Sequence, residues 1–149
     1  MACPFLVSQR AREVLSGHRL PPHYFFDVLL GNHRGAATHY LLHCPYLSHE
    51  AIDFAASRFR VNMGLPAAPK WEYPDINSFP AYDAFRSHTR KRAEFDSMVM
   101  SERFDAQLDF FHCRIGPMYV SERLKKAIEA ADLTGLFFPS STGSWAYAQ

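Results

Sequence analysis

Histidine and cysteine are the residue types in this chain with the most accessible chemistry. Eight histidines and three cysteines occur among the 149 residues. The candidate metal ligands are His39, His43, Cys44, His49, His112 and Cys113. Zinc needs ligands that converge, whereas His43 and Cys44 are neighbours in a predicted strand and point to opposite faces. We therefore expect no metal site and no cofactor.

A cysteine nucleophile with a histidine partner is the second possibility. Adjacent strand residues face opposite ways, so His112 and Cys113 cannot act on each other, although Cys44 and His112 could meet across strands. No P-loop, GxSxG or HExxH motif occurs, and the cysteines include no CxxC pair. We therefore expect no catalytic residue, buried thiols that behave as small apolar groups, and a reducing compartment.

Four further side chains could be mistaken for catalytic groups. Ser8 and Ser121 each precede apolar residues at helical spacing, which is the position of a helix N-cap. Asp53 and Ser57, four residues apart, would share one helical face and could hydrogen-bond to each other or to nearby backbone. All four are interpreted as structural.

Aromatic and basic residues between 70 and 92 are the best candidates for binding a partner. Five prolines or glycines interrupt residues 64–83, which predicts an irregular loop with large aromatic anchors. Trp, Tyr and Arg are enriched at binding hot spots, although such a loop could equally be pinned to its own core. The predicted partner-binding residues are Trp71, Tyr73, Tyr82, Arg86, Arg90 and Arg92.

The charge balance limits the kind of partner. Sixteen Lys+Arg against fifteen Asp+Glu give a net charge of +1, which excludes a strong basic field for nucleic acid. The basic cluster at 86–92 is therefore either a solvated face or a contact for an acidic protein surface. The chain has no signal-peptide pattern and no apolar run of membrane-spanning length. We expect a cytoplasmic protein that binds neither nucleic acid nor membrane.

The elements that would position these residues form an α+β fold. The length predicts one domain over residues 1–139, followed by a mobile tail at 140–149. The two ends repeat a strand, a serine cap and a helix, since residues 5–15 and 118–128 have similar sequences. Between them we predict a hairpin over 23–44, a short helix over 52–59, and strands at 98–100 and 108–115. The sheet is expected to be mixed or antiparallel, with the terminal helices packed on it.

Three segments of the chain carry distinctive motifs. The C-terminal motif is Val120-Ser121-Glu122-Arg123-Leu124-Lys125 through Leu133-Thr134-Gly135-Leu136-Phe137-Phe138-Pro139. The N-terminal motif is Val7-Ser8-Gln9-Arg10, and the middle one is Tyr40-Leu41-Leu42 followed by Asp53 and Ser57. These motifs resemble the close, the start and the middle of the immunity protein eleven family, which belongs to bacterial polymorphic toxin systems.

The resemblance implies a non-enzymatic immunity protein that binds a cognate toxin in the producing bacterium during interbacterial competition. It would act by occluding the toxin's active site or by locking its conformation. Two other classes stay open. One is a small hydrolase or transferase that uses Cys44 or Cys113 with a histidine, and the other is a regulatory binding module. Oligomeric state is not predicted.

Overall fold

The structure is a computed structural model that describes residues 2–32, 35–116, 118–134 and 144–147. Its fold is α+β with antiparallel and mixed sheets, as predicted. The chain forms two compact units, Met1–Leu47 with Asp105–Phe137 and Ser48–Phe104 with Phe138–Gln149. The single domain over 1–139 stays a prediction. Of the tail predicted to be mobile, residues 144–147 are a strand and the others lie outside the described residues.

The chain contributes nine strands and three α-helices to the described structure. In chain order these are β1 (Ala2–Ser8), α1 (Gln9–Ser16), β2 (Tyr24–Asn32), β3 (Gly35–Pro45), β4 (Arg58–Asn62), β5 (Trp71–Glu72), α2 (Phe79–Thr89), β6 (Glu94–Met100), β7 (Phe110–His112), β8 (Met118–Val120), α3 (Glu122–Ala130) and β9 (Ser144–Tyr147). A short 3-10 helix, His49–Ala51, follows β3.

The first unit contains a three-stranded antiparallel sheet in the order β1-β3-β2 and the β7–β8 pair. The hairpin predicted over 23–44 is confirmed as β2 and β3, whose register runs without a shift from Tyr24↔His43 to Asn32↔Gly35. Alternate residues of β3, including Tyr40, Leu42 and Cys44, are buried on one face. Leu124 and Ile128 of α3 are also part of the core.

The predicted repeat at the two ends is confirmed as far as the structure describes it. A strand runs directly into a helix at Ser8 and again at Ser121, and both serines have extended backbone. Ser8 Oγ accepts a hydrogen bond from the N–H of Ala11 at 3.2 Å, and Ser121 Oγ accepts one from Leu124 at 3.0 Å. Both serines are therefore N-caps. The strand expected after the second helix falls mainly on residues outside the described ones.

The second unit is built on a four-stranded mixed sheet in the order β5-β4-β6-β9, in which β6 and β9 are parallel. Phe59 and Val61 of β4 are buried, while Arg58 and Arg60, which alternate with them, point to the other face. Met98 and Met100 of β6 complete the centre of this core. Period-two burial on β4 therefore fixes which side chains reach solvent.

The prediction of a helix over 52–59 is wrong, because this segment forms a turn that leads into β4. Ser48 caps only the 3-10 helix, by accepting from the N–H of Glu50 at 3.3 Å. Asp53 Oδ1 accepts from the N–H of Ala56 at 3.0 Å, and Ser57 Oγ donates to the Asp53 carbonyl at 2.6 Å. Asp and Ser readily bond to neighbouring backbone in this way and so compete with helix formation.

A helix occupies part of the predicted irregular loop. Ser78 caps α2 by accepting from the N–H of Ala81 at 3.3 Å, and Pro80 lies in the first turn. A proline there breaks no helical hydrogen bond, since the first N–H groups have no partner within the helix. None of the described helices has both the length and the apolar character needed to cross a bilayer.

Candidate functional site

Two exposed aromatic rings of the second unit lie under arginine side chains of the neighbouring strand. The guanidinium carbon of Arg60 is 4.4 Å from the centre of the Trp71 ring, and that of Arg58 is 5.4 Å from the Tyr73 ring. The pairing of β4 with β5 produces this arrangement. Asn62 is opposite Trp71, and Arg60, two residues before Asn62, lies on the same face of the sheet. These are cation–π distances.

The same two arginines are held on their other side by carboxylates of β6. Arg60 Nε donates to Glu94 Oε1 at 2.9 Å, and Arg58 Nε donates to Asp96 Oδ2 at 2.6 Å. The register of β4 and β6 shifts between Arg58 and Phe59, so that β6 carries an extra residue at this point. We call the six side chains the arginine–aromatic surface: Arg58, Arg60, Trp71, Tyr73, Glu94 and Asp96.

The arginine–aromatic surface has the properties of a pre-ordered binding site. Trp71 is 40% exposed and Tyr73 is 58% exposed. Each ring contacts an arginine that is itself hydrogen-bonded to a carboxylate, and these contacts reduce the side-chain entropy that a partner would have to remove. Because two cations face two anions, a partner would meet no unbalanced charge. The arrangement is suited to protein recognition.

Tyr82 does not belong to this surface, although it was among the predicted partner-binding residues. It lies on α2, is only 3% exposed, and packs against Phe59 and Phe79 with ring centres 6.1 Å and 6.5 Å away. Its position on α2 directs the ring into the core of the second unit. Tyr82 therefore has no surface to offer a partner in the folded chain.

The predicted arginines lie in and beyond the last turn of α2. Arg86, Arg90 and Arg92 are all exposed. Arg90 is the C-cap in the left-handed region, with φ of 54°, and its N–H donates to the Arg86 carbonyl at 3.0 Å. Lys91 is used differently, since its Nζ donates to the carbonyls of Asn62 and Met63 at 3.3 Å and 3.1 Å. Lys91 thus anchors this segment within the second unit.

A second polar cluster, in the first unit, is centred on Asp109. This buried carboxylate accepts hydrogen bonds from Arg123 Nε and Nη2 at 2.9 Å and 2.7 Å, from Ser121 Oγ at 2.6 Å and from the N–H of Arg19 at 2.8 Å. Burial favours the neutral acid, but the hydrogen bonds and the nearby guanidinium outweigh it and hold the pKa of Asp109 well below its usual range.

An open cleft of about 340 Å³ adjoins this cluster, with Arg19, Gln107 and Arg123 among its lining residues. Arg19 donates to Gln107 at 2.6 Å and forms an ion pair with Asp105 at 2.7 Å. Both arginines of the cleft are therefore already paired with side chains of the first unit. We interpret the Asp109 cluster as a structural connection that joins α3 to the segment after α1.

The described thiols are in environments that suppress their reactivity. Burial raises the pKa of Cys44 to about 11 and that of Cys113 to about 12, so both stay protonated near neutral pH. His112 packs its ring against Phe5 and Tyr46, with ring centres 6.4 Å and 4.7 Å away. Within the part of the chain that the structure describes, no three His, Cys, Asp or Glu side chains are grouped as metal ligands.

Sequence reasoning identified the aromatic half of the arginine–aromatic surface and missed the charged half. The signal was present in the alternation of Arg58-Phe59-Arg60-Val61 and of Glu94-Phe95-Asp96, which are period-two strands with opposite charges on the polar face. Opposite charges on facing residues of adjacent strands favour pairing.

Comparison of the chain with family models, with curated proteins and with solved structures finds no match. The resemblance of the terminal motifs to an immunity protein family therefore stays a prediction.

Proposed function

We propose that this chain is an immunity protein that binds and neutralises a cognate bacterial toxin in the cytoplasm of the producing cell. The observation that carries the proposal is the arginine–aromatic surface, where Trp71 and Tyr73 are exposed and yet held under Arg60 and Arg58. Neutralisation would follow from occlusion of the toxin's active site or from locking of its conformation. The resemblance of the terminal motifs supplies the class of partner.

The composition of the surface supports binding to a protein. Aromatic residues and arginine dominate hot spots, where they fill pockets of the partner and lose their contact with water. Trp71 and Tyr73 offer flat apolar faces. The arginines beside them already donate hydrogen bonds to carboxylates of β6, so binding does not require the partner to supply new acceptors for them. A toxin would contact the rings with little reorganisation of this surface.

The exposed arginines around the end of α2 add a role in association. Arg86 and Arg90 belong to the same unit as the arginine–aromatic surface and carry positive charge beyond the paired set. Charges outside the contact centre chiefly change the association rate and its dependence on salt. An acidic toxin surface is therefore the expected partner, and nucleic acid is disfavoured by the nearly neutral chain.

The hydrolase or transferase alternative gains no support from the cysteines. A cysteine nucleophile needs a lowered pKa and access to substrate, whereas Cys44 and Cys113 are buried and their pKa values are raised. Protection by binding should therefore survive the Cys44→Ala and Cys113→Ala substitutions in a chain that still folds.

The proposal is tested by expressing the toxin encoded by the neighbouring gene in cells that also produce this chain. We expect the wild-type chain to restore growth and to co-purify with the toxin. The Trp71→Ala plus Tyr73→Ala variant should lose both properties while keeping its melting temperature. Leu65→Ala is the matched control, because Leu65 is an exposed apolar residue of the same unit outside the arginine–aromatic surface.

Failure of the wild-type chain to protect would contradict the immunity function. Protection that is retained by the double aromatic variant would contradict the proposed surface. Loss of protection in the cysteine variants, with the fold intact, would favour the enzyme alternative.

A further inference from the structure

β2 is an edge strand whose long outer edge has little protection. In the described residues its strand neighbour is β3 alone, and the nine-residue register between them contains no bulge. Natural edge strands are usually protected by proline, by charged side chains such as lysine, by a bulge or by short length. β2 is nine residues long and has no proline, lysine or bulge, so that Asp27 is its one protective residue of this kind. The opposite edge strand, β1, contains Pro4, which has no N–H to donate.

The side chains of β2 are exposed on both faces of the sheet. Tyr24 and Phe26 point to one face and are 67% and 53% exposed, and Leu30 on the same face is also exposed. Leu29 points to the other face and is 73% exposed. A partner stacked on one face would leave Leu29 uncovered. A strand added to the edge would contact side chains on both faces.

We infer that the outer edge of β2 pairs with β2 of a second copy of this chain, which joins the two three-stranded sheets into one antiparallel sheet of six strands. This inference is independent of the function proposed above. A two-fold axis through Val28 places Phe26 opposite Leu30 of the second copy and Asp27 opposite its Leu29. The apolar side chains of the two copies are then opposite each other, and the two Asp27 side chains are not directly opposite each other.

The available area indicates a weak dimer. Tyr24 and Phe26 leave ~200–300 Å² of aromatic surface open, given the area that such side chains can bury. Leu29 and Leu30 extend this toward the ~300–600 Å² of the largest apolar patch on a typical monomer. A stable interface buries about 800 Å² per partner, so the dimer is expected to dissociate on dilution.

The test is sedimentation equilibrium of the whole chain over a wide concentration range. We expect a reversible monomer–dimer equilibrium in the wild type. The Phe26→Lys plus Leu30→Lys variant places like charges opposite each other twice and should weaken dimerisation at least about tenfold. Leu65→Lys changes an exposed leucine of the other unit and should leave the equilibrium unchanged.

A charge-complementary mixture separates a lost interface from a damaged fold. The Phe26→Glu plus Leu30→Glu variant should be monomeric alone and should form a heterodimer with the lysine variant, because opposite charges then meet at both positions. A wild-type chain that stays monomeric at every concentration would overturn the inference. So would dimerisation of the lysine variant with unchanged affinity, or a mixture that stays monomeric.

Discussion

Asp109 shows what a single buried carboxylate does in this chain. Its carboxylate binds the N–H of Arg19 and the side chains of Ser121 and Arg123. Its backbone adds two hydrogen bonds: the N–H of Asp109 donates to the Arg19 carbonyl at 2.7 Å, and the N–H of Ser121 donates to the Asp109 carbonyl at 2.7 Å. A buried carboxylate is tolerated because each oxygen accepts hydrogen bonds, two of them charge-assisted. The residue therefore stabilises the junction between β8 and α3.

Replacement of Asp109 by Asn should destabilise the chain by about 2 to 3 kcal/mol, because charge-assisted hydrogen bonds are lost and an amide N–H₂ would face donors. This loss of stability is smaller than the loss that follows when a buried charge is left without a partner, because the Arg123 side chain is exposed and water can solvate it. Urea denaturation at neutral pH measures the change. An unchanged free energy of unfolding would show that the cluster contributes nothing.

The same carboxylate should give the wild type an acid-sensitive part of its stability. The pKa of Asp109 in the folded chain lies below its ordinary value of 3.8, so the stabilisation is complete above that value and is lost as the pH falls through the folded value. Denaturation curves between about pH 6 and pH 2 should fall less steeply for Asp109→Asn than for the wild type. Parallel curves would contradict the assignment.

Tyr82 gives the opposite prediction from the exposed aromatics. Its ring is packed against Phe59 and Phe79, so Tyr82→Ala should cost about 3 to 5 kcal/mol of stability, as for other large core aromatics. Thermal melting should reveal this loss without any partner present. A melting temperature equal to that of the wild type would mean that Tyr82 is not part of the core.

The two serine N-caps make the same local hydrogen bond but differ in their other contacts. Ser8 and Ser121 have nearly the same backbone conformation and both accept from the third residue beyond them. Ser8 lies at the surface, whereas Ser121 Oγ also donates to the buried Asp109. The serine before α3 is therefore part of a network, and the serine before α1 acts alone.

Substitution of each cap by alanine should destabilise the chain by about 0.5 to 2 kcal/mol. We expect Ser8→Ala near the lower end and Ser121→Ala at or above the upper end, because the second change also leaves Asp109 with one fewer donor. Paired urea denaturation curves give the comparison. An equal loss of stability in the two variants, or a larger loss in Ser8→Ala, would contradict the contribution of the hydrogen bond from Ser121 to Asp109.

Local signals were sufficient to predict some elements and not others. The alternating residues of β2 and β3 and the serine caps predict their elements, because burial on one face and capping are encoded within a few residues. The segment from Ile52 to Phe59 also has helical spacing, but Asp53 and Ser57 bond to the turn and Phe59 pairs with Phe95 of a distant strand. Spacing alone cannot weigh such contacts.

The candidate site was predictable in the same partial way. Trp71 and Tyr73 stand out by residue type, whereas Arg58 and Arg60 acquire their role only when β4 is placed between β5 and β6. Tyr82 shares the type of Tyr73 but lies on a helix that buries it. Residue type therefore identified candidates, and tertiary pairing decided which of them reach the surface.

At the scale of the whole molecule, charge affects the rate of encounter more than the stability of a complex. The chain carries a net charge of +1 and a local excess of arginine around the end of α2. Reversal of charge at Arg90 and Arg92 should slow association with the proposed acidic toxin and reduce the salt dependence of the association rate, while the dissociation rate changes little. Stopped-flow mixing at several salt concentrations separates these rates. A changed dissociation rate with an unchanged association rate would place these residues in the contact itself.

We propose that Trp71 and Tyr73 bind the partner and are not parts of the core. Isothermal titration calorimetry of the proposed toxin partner with Trp71→Ala gives the test, together with thermal melting of the same variant and of Leu65→Ala. We predict a loss of at least about 2 kcal/mol of binding free energy with little change in melting temperature, and wild-type behaviour for the control. Wild-type affinity in Trp71→Ala, or a loss of affinity that accompanies an equal loss of stability, would contradict the account.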